Sequence, residues 1–142
     1  MITITSEQVT EIVDQHQVGF LCYLHKVTGE LLSVPDMDKF FGMDTEAFDE
    51  DLEKLENNII DYIEIKPPTS RQSFKIMESF VAQLDEENKL KNKLLNALDK
   101  KKPFREFNYV IENEFEFRQD WFAFRTEKLK QLINQELEEG NL

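Results

Sequence analysis

Only one cysteine, Cys22, occurs in the chain, so no disulfide can form within it. That usage fits a reducing cytosol. Cys22 lies inside Phe20-Leu21-Cys22-Tyr23-Leu24, the longest apolar run, where a buried, inert thiol is expected rather than a nucleophile. No run approaches the roughly 20 apolar residues that span a bilayer. The opening MITITSEQ has neither a basic region nor an apolar signal core. Secretion and membrane insertion are therefore not expected, and the expected compartment is the cytoplasm. Glycine is scarce, four residues set far apart, so no Gly-rich phosphate loop exists. His16 and His25 are the only histidines, so a zinc site would have to recruit carboxylates or Cys22 as well.

Large apolar side chains and acidic groups are plentiful. Twelve Phe, three Tyr and one Trp supply a core. With 142 residues, the length suits one domain able to bury a substantial fraction of its surface. The net charge of −12 is unevenly spread. Residues 36–61 carry ten acids against two Lys, whereas 89–105 carry seven Lys and Arg against one Asp. Solvated helix faces that favour solubility explain such runs blandly. The sharper explanation is that one run docks a partner of opposite charge.

The hinge of the sequence is 62–77, YIEIKPPTSRQSFKIM. Tyr62-Ile63-Glu64-Ile65 alternates as a strand. Pro67 and Pro68 lack N–H groups and block further sheet pairing. Thr69 and Gln72 then form a capping box, with Ser70 as the alternative cap. The spacing predicts a helix over 70–84 through Phe74, Met77, Phe80, Val81 and Leu84. Arg71 falls in its first turn, where a cation opposes the helix dipole. Such a placement calls for a carboxylate partner, and Glu64 is the candidate.

Before the hinge, Thr5 and Gln8 suggest a second capping box for a helix over 6–17, broken by Gly19. Strands over 20–25 and 31–34 form a hairpin through Gly29, ended by Pro35. A helix starting at Asp44 or Thr45 turns Phe48, Leu52 and Leu55 inward and closes at Asn57-Asn58. Tyr62–Ile65 then joins the hairpin as a third, antiparallel strand. After the hinge come a helix over 86–99 (Leu90, Leu94, Leu95 and Leu98 inward), a shorter one from Pro103 and a long one from near Glu116 to Gly140. The rear half of the last is thin in apolar residues and is expected to project into solvent. The fold class is α+β: a small three-stranded antiparallel sheet with an N-terminal helix and a helical C-terminal half. One domain is expected over 1–142, with helix, hairpin, acidic helix and third strand in 1–66 and the helical half in 67–142.

Glu64-Ile65-x-Pro67-Pro68-x-Ser70-Arg71, then Met77 and Phe80, resemble the signature of a bacterial family of uncharacterised proteins, one of the UPF groups of short acidic chains. Phe104-Arg105-x-Phe107 and Trp121-Phe122-x-Phe124-Arg125 continue the likeness in order, and the Thr28-Gly29-Glu30 turn resembles the family's hairpin. Residues 36–61 depart from it in being longer and more acidic. The resemblance implies a cytosolic single-domain protein. It brings no activity, cofactor or catalytic residue with it.

Three chemistries are suggested by residue spacing. Asp36 after one strand and Glu64-Ile65-Lys66 on the next are spaced as in metal-dependent nucleases, where carboxylates hold a cation and lysine helps activate water. Against this, the prolines truncate the strand and the acidic surroundings repel phosphate. Asp36, Asp38 and Gly42 hint at a calcium loop, but Phe40 and Phe41 occupy positions that such a loop gives to a ligand and a glycine. Phe104, Phe107, Phe115, Phe117, Trp121, Phe122 and Phe124, interleaved with Arg105, Arg118 and Arg125, invite base stacking. Phenylalanine at helical spacing is more simply core, and Arg71, Arg105 and Arg125 are expected to pair with carboxylates such as Glu64, Glu78 or Glu106.

The structural or binding candidates are thus Glu64, Arg71, Arg105, Trp121, Phe124 and Arg125, with Asp36 and Glu64 as the marginal metal candidates. No catalytic residue and no cofactor are indicated. A non-enzymatic interaction or regulatory protein is the leading expectation, recognising a protein partner by charge and an aromatic-lined groove. Nucleic-acid association through 89–105, disfavoured by the net charge, is the alternative, and the nuclease-like site a second one. The oligomeric state is left open.

Overall fold

A computed structural model describes residues 3–140. The chain divides into two compact units: one takes the chain up to Pro67 together with Leu129 onward, the other is Pro68–Lys128.

The first unit is built on three short antiparallel strands, β1 (Phe20–His25), β2 (Leu31–Pro35) and β3 (Tyr62–Ile65), in the order β2-β1-β3. Phe20 faces Pro35 and Leu24 faces Leu31 across one ladder; Cys22 faces Ile65 and His25 faces Tyr62 across the other. The hairpin turns at Gly29, whose φ of 75° suits a residue without Cβ. The His25 imidazole Nδ1 accepts from the N–H groups of Val27 and Thr28, closing the turn. Alternation sends Cys22, Leu24 and Ile65 to one face, all fully buried. Leu32, Val34 and Tyr62 go to the other, where they cluster with Leu55. Both faces are therefore covered, which explains why the strands read as nearly continuous apolar runs.

Helix α1 (Ser6–Gln17) begins at the predicted box: the Gln8 N–H donates to Thr5 Oγ1 at 3.1 Å, and the Thr5 N–H donates to Gln8 Oε1 at 3.2 Å. Gly19 follows it with φ 87°. The acidic segment starts differently from the expectation. Neither Asp44 nor Thr45 opens an α-helix; a 3₁₀ turn, Glu46–Phe48, comes first and α2 runs from Asp49 to Asn57. Thr45 makes no side-chain cap, while Asp44 Oδ1 accepts from the Glu46 N–H at 3.0 Å and tightens the turn instead.

The second unit is helical. Helix α3 (Ser70–Ala82) is opened by the Thr69–Gln72 box, with the Gln72 N–H donating to Thr69 Oγ1 at 3.1 Å. It buries Ile76, Met77, Phe80 and Val81. Helix α4 (Lys89–Leu98) starts three residues later than predicted because Asn88 is the cap, its Oδ1 accepting from the Leu90 N–H at 2.9 Å. Helix α5 (Pro103–Asn113) has proline in its first turn, and Glu114 separates it from α6 (Phe115–Gly140). Trp121 of α6 forms the centre of this unit's core, meeting Phe80 at 5.2 Å and Phe107 at 4.8 Å between ring centroids, both edge to face.

The rear half of α6 corrects the expectation of a helix projecting into solvent. Leu129, Ile133 and Leu137, four residues apart, are all buried. Asn134 Oδ1 accepts from the Ile4 N–H at 2.8 Å, tying this half of the helix to the start of the chain. The stripe is narrow, one residue wide, which is why it reads as polar.

Both boxes lend themselves to a direct measurement. Thr5→Ala and Thr69→Ala are each expected to lower stability by about 1 kcal/mol in urea denaturation, with Thr→Ser close to neutral. A loss below a quarter of that would show the reciprocal bonds to be without consequence.

Candidate functional site

The residues singled out in the sequence fall in both units: Asp36 and Glu64 in the first, Arg71, Arg105, Trp121, Phe124 and Arg125 in the second. Glu64 is half-buried on β3, opposite Tyr23, whose hydroxyl donates to Glu64 Oε1 at 3.2 Å. Burial first, and the neighbouring Glu64 carboxylate second, push the Tyr23 phenol above its ordinary pKa. Asp36 spends one oxygen on its own turn, accepting from the Asp38 N–H at 3.1 Å. Asp36 follows the Phe20–Pro35 pair while Glu64 faces Tyr23. The two backbones are thus offset by about 13 Å along β1 at the usual rise per residue. Among the described residues no group of three or more His, Cys, Asp or Glu side chains is placed to hold a metal ion.

Arg71 lies in the second unit and its expected partner Glu64 in the first. It is exposed and makes no hydrogen bond or ion pair among the described residues. The capping box, not a buried carboxylate, sets the start of α3, so the cation in the first turn is simply solvated. Arg105 does meet Glu106, but at 3.5 Å, on adjacent residues and with Arg105 in water. Such a pair is worth little. Arg125 stacks its guanidinium over the Phe122 ring, 5.4 Å from the centroid, and Arg118 approaches the same ring at 5.7 Å. Trp121 is only 4% exposed and Phe124 packs on Phe80 at 5.4 Å. Trp121 is not free to stack on a base.

No sequence motif singles out His16, a lone histidine near the end of α1. Its Nε2 donates to the Ile65 carbonyl at 3.0 Å, which fixes the tautomer and joins α1 to β3. Burial lowers its pKa; the Ile65 carbonyl and Glu64 oppose that, and Lys39 adds to it. A base whose folded pKa is depressed binds fewer protons than in the unfolded chain. This group's contribution is therefore complete above its unfolded value, about 6.5, and falls as pH drops from there through the folded pKa. His16→Gln is expected to remove that slope from a stability–pH profile between neutral and mildly acidic conditions. An unchanged profile would refute it.

A concavity lies in the second unit, between α3 and α4. It is a groove of about 410 Å³ lined by Phe74, Val81, Ala82, Leu95 and Leu98, with Glu78, Lys91 and Asp99 at its walls. Leu95 was assigned to the inner stripe of α4, but the buried stripe is Leu90, Leu94 and Ala97, and Leu95 is 49% exposed. It sits one helical step, about 100°, beyond Leu94. Phe104, 38% exposed, meets Phe74 edge to face at 6.5 Å beside the groove. Lys91 is held by the Leu84 carbonyl and Glu86, each at 3.1 Å, and Lys93 by Glu114 at 2.7 Å. Lys100, Lys101 and Lys102 follow Asp99 directly and are exposed.

Charge is divided between the units as well. The first holds five Lys and Arg against eighteen acids, the second twelve against eleven. Among the described residues no helix is long and apolar enough to cross a membrane.

Comparison with known proteins adds a family. The model of an uncharacterised protein family, UPF0158, matches residues 3–142. The UPF0158 protein PA5073 of Pseudomonas aeruginosa is 28% identical over 120 residues, a stretch covering 78% of each chain. No solved structure matches.

Proposed function

Since the chain belongs to the uncharacterised family UPF0158, we propose that it is a non-enzymatic cytosolic protein that binds a protein partner through the α3–α4 groove. The observation that carries this reading is the groove itself: an apolar floor left uncovered between two packed helices, with Leu95 and Phe104 half in water. Grooves of this kind seat the apolar face of an amphipathic segment. The exposed Lys100-Lys101-Lys102 run beside it favours an acidic segment, although Glu78 and Asp99 in the walls set a limit on how much negative charge enters.

Nucleic-acid binding through 89–105 has less support. Three of its seven cations, Lys91, Lys93 and Arg105, already meet carboxylates of their own unit. A mobility-shift assay at low salt separates the readings, since phosphate binding is strongest there.

The docking reading is tested by affinity capture from a bacterial lysate, identification of the captured proteins, and calorimetry with each purified. Leu95→Glu with Phe104→Glu should weaken the true partner about 30-fold or more, as expected for central apolar contacts. A partner that binds the variant as tightly as the wild type would remove the groove from consideration.

A further inference from the structure

We propose that the occupant of the α3–α4 groove is the β2–α2 loop of a second copy of this chain. This rests on the docking reading above and names its partner. The loop, residues 36–48, carries the most exposed large apolar group described in the first unit, Phe41 at 90%, with Met43 two residues on at 64%. Its shape is held from within. The N–H groups of Lys39 and Phe40 donate to the Asp36 carbonyl at 2.9 and 3.0 Å, and that of Met43 donates to the Phe40 carbonyl at 3.0 Å. Phe40 and Phe48 brace its two ends, both packing edge-on against Phe20 at 5.5 and 5.1 Å. Phe41 is thus presented outward by a preformed loop, which keeps the entropy cost of docking small. Methionine beside it suits an irregular apolar seat.

Charge selects the pairing. The loop and the helix after it, 36–61, hold ten acids against two Lys, and one of those, Lys54, is taken by Glu30 at 2.6 Å. The groove's neighbourhood, 89–105, is the most basic stretch of the chain. Two copies of a chain with net charge −12 repel in most orientations. The orientation that brings the acidic loop of one to the basic collar of the other is the one that attraction favours. The contact is heterologous: each copy offers a loop to one neighbour and a groove to another.

The test uses the full chain in sedimentation and light-scattering experiments over a wide concentration range, at low and at moderate salt. The wild type is expected to rise above its 16.9 kDa monomer mass with concentration at low salt and to fall back as salt is added. The loop variant (Phe41→Ser with Met43→Ser) and the groove variant (Leu95→Glu with Phe104→Glu) should each associate at least tenfold more weakly. Circular dichroism would confirm that both stay folded. Mixed in equal amounts, the two should form a one-to-one dimer, because one keeps an intact groove and the other an intact loop. A wild type that stays at monomer mass throughout overturns the proposal, as does association untouched by either variant or a mixture that fails to pair. A monomeric chain whose groove variant still loses a captured partner would sink the self-recognition alone. A monomeric chain whose groove variant loses nothing would sink the docking reading with it.

Discussion

Replacing Trp121 by alanine is expected to lower the free energy of unfolding by about 3–5 kcal/mol, the range for removing a large aromatic from a packed interior. Trp121 is 4% exposed and its indole is gripped between the Phe80 and Phe107 rings, which are themselves fully buried. Truncation leaves a cavity walled by two rings on two other helices, α3 and α5, and rings do not collapse into such a space as a flexible methionine would. The adjacent Phe122→Ala is the control. Its ring is partly in water and its partners are the guanidinium groups of Arg118 and Arg125. That substitution should cost about 1 kcal/mol or less. Urea denaturation followed by circular dichroism measures both, since Trp121 is the chain's only tryptophan and fluorescence is lost with it. Comparable costs for the two would mean that the aromatic series is not sorted into core and surface as described.

Leu137→Ala is expected to cost about 2–5 kcal/mol. Leu137 is the last of the buried trio Leu129, Ile133 and Leu137, and only 2% of it meets solvent. The Asn134 side chain, one turn earlier, holds the Ile4 amide, so loosening this end of α6 also leaves that amide without its acceptor. The neighbouring Glu138→Ala, at an exposed position, should stay within about 0.5 kcal/mol. Denaturation midpoints at constant slope decide the matter. A Leu137→Ala variant as stable as the Glu138→Ala one would return the rear half of α6 to solvent.

How far the sequence foretold these features depends on the range of the interaction. Thr5–Gln8 and Thr69–Gln72 act over three residues, and both boxes form where their spacing places them. The hairpin about Gly29 and the antiparallel third strand follow from alternation and a single turn residue. The sequence does not place Leu95 correctly, because four leucines on ten residues define a wide apolar arc, and only neighbouring helices decide which edge of it is covered. The trio in α6 and the carbonyl beneath His16 are matters of long-range packing: Ile4 and Asn134 are 130 residues apart, His16 and Ile65 are 49. No local pattern announces either. Trp121 lies in the core at 4% exposure, whereas Phe124 is half-buried against Phe80.

The first unit is assembled from two stretches of chain separated by the whole of the second. During synthesis from the N-terminus the sheet strands therefore leave the ribosome long before Leu129, Ile133 and Leu137 exist to cover their share of the interior. The helical unit, Pro68–Lys128, is contiguous and has all its own residues at hand first. Chains ending at Lys128, joined to the ribosome by a linker long enough to clear the exit tunnel, should accordingly resist protease across the helices while remaining cleavable among the strands, and the part made earliest should be the part completed last.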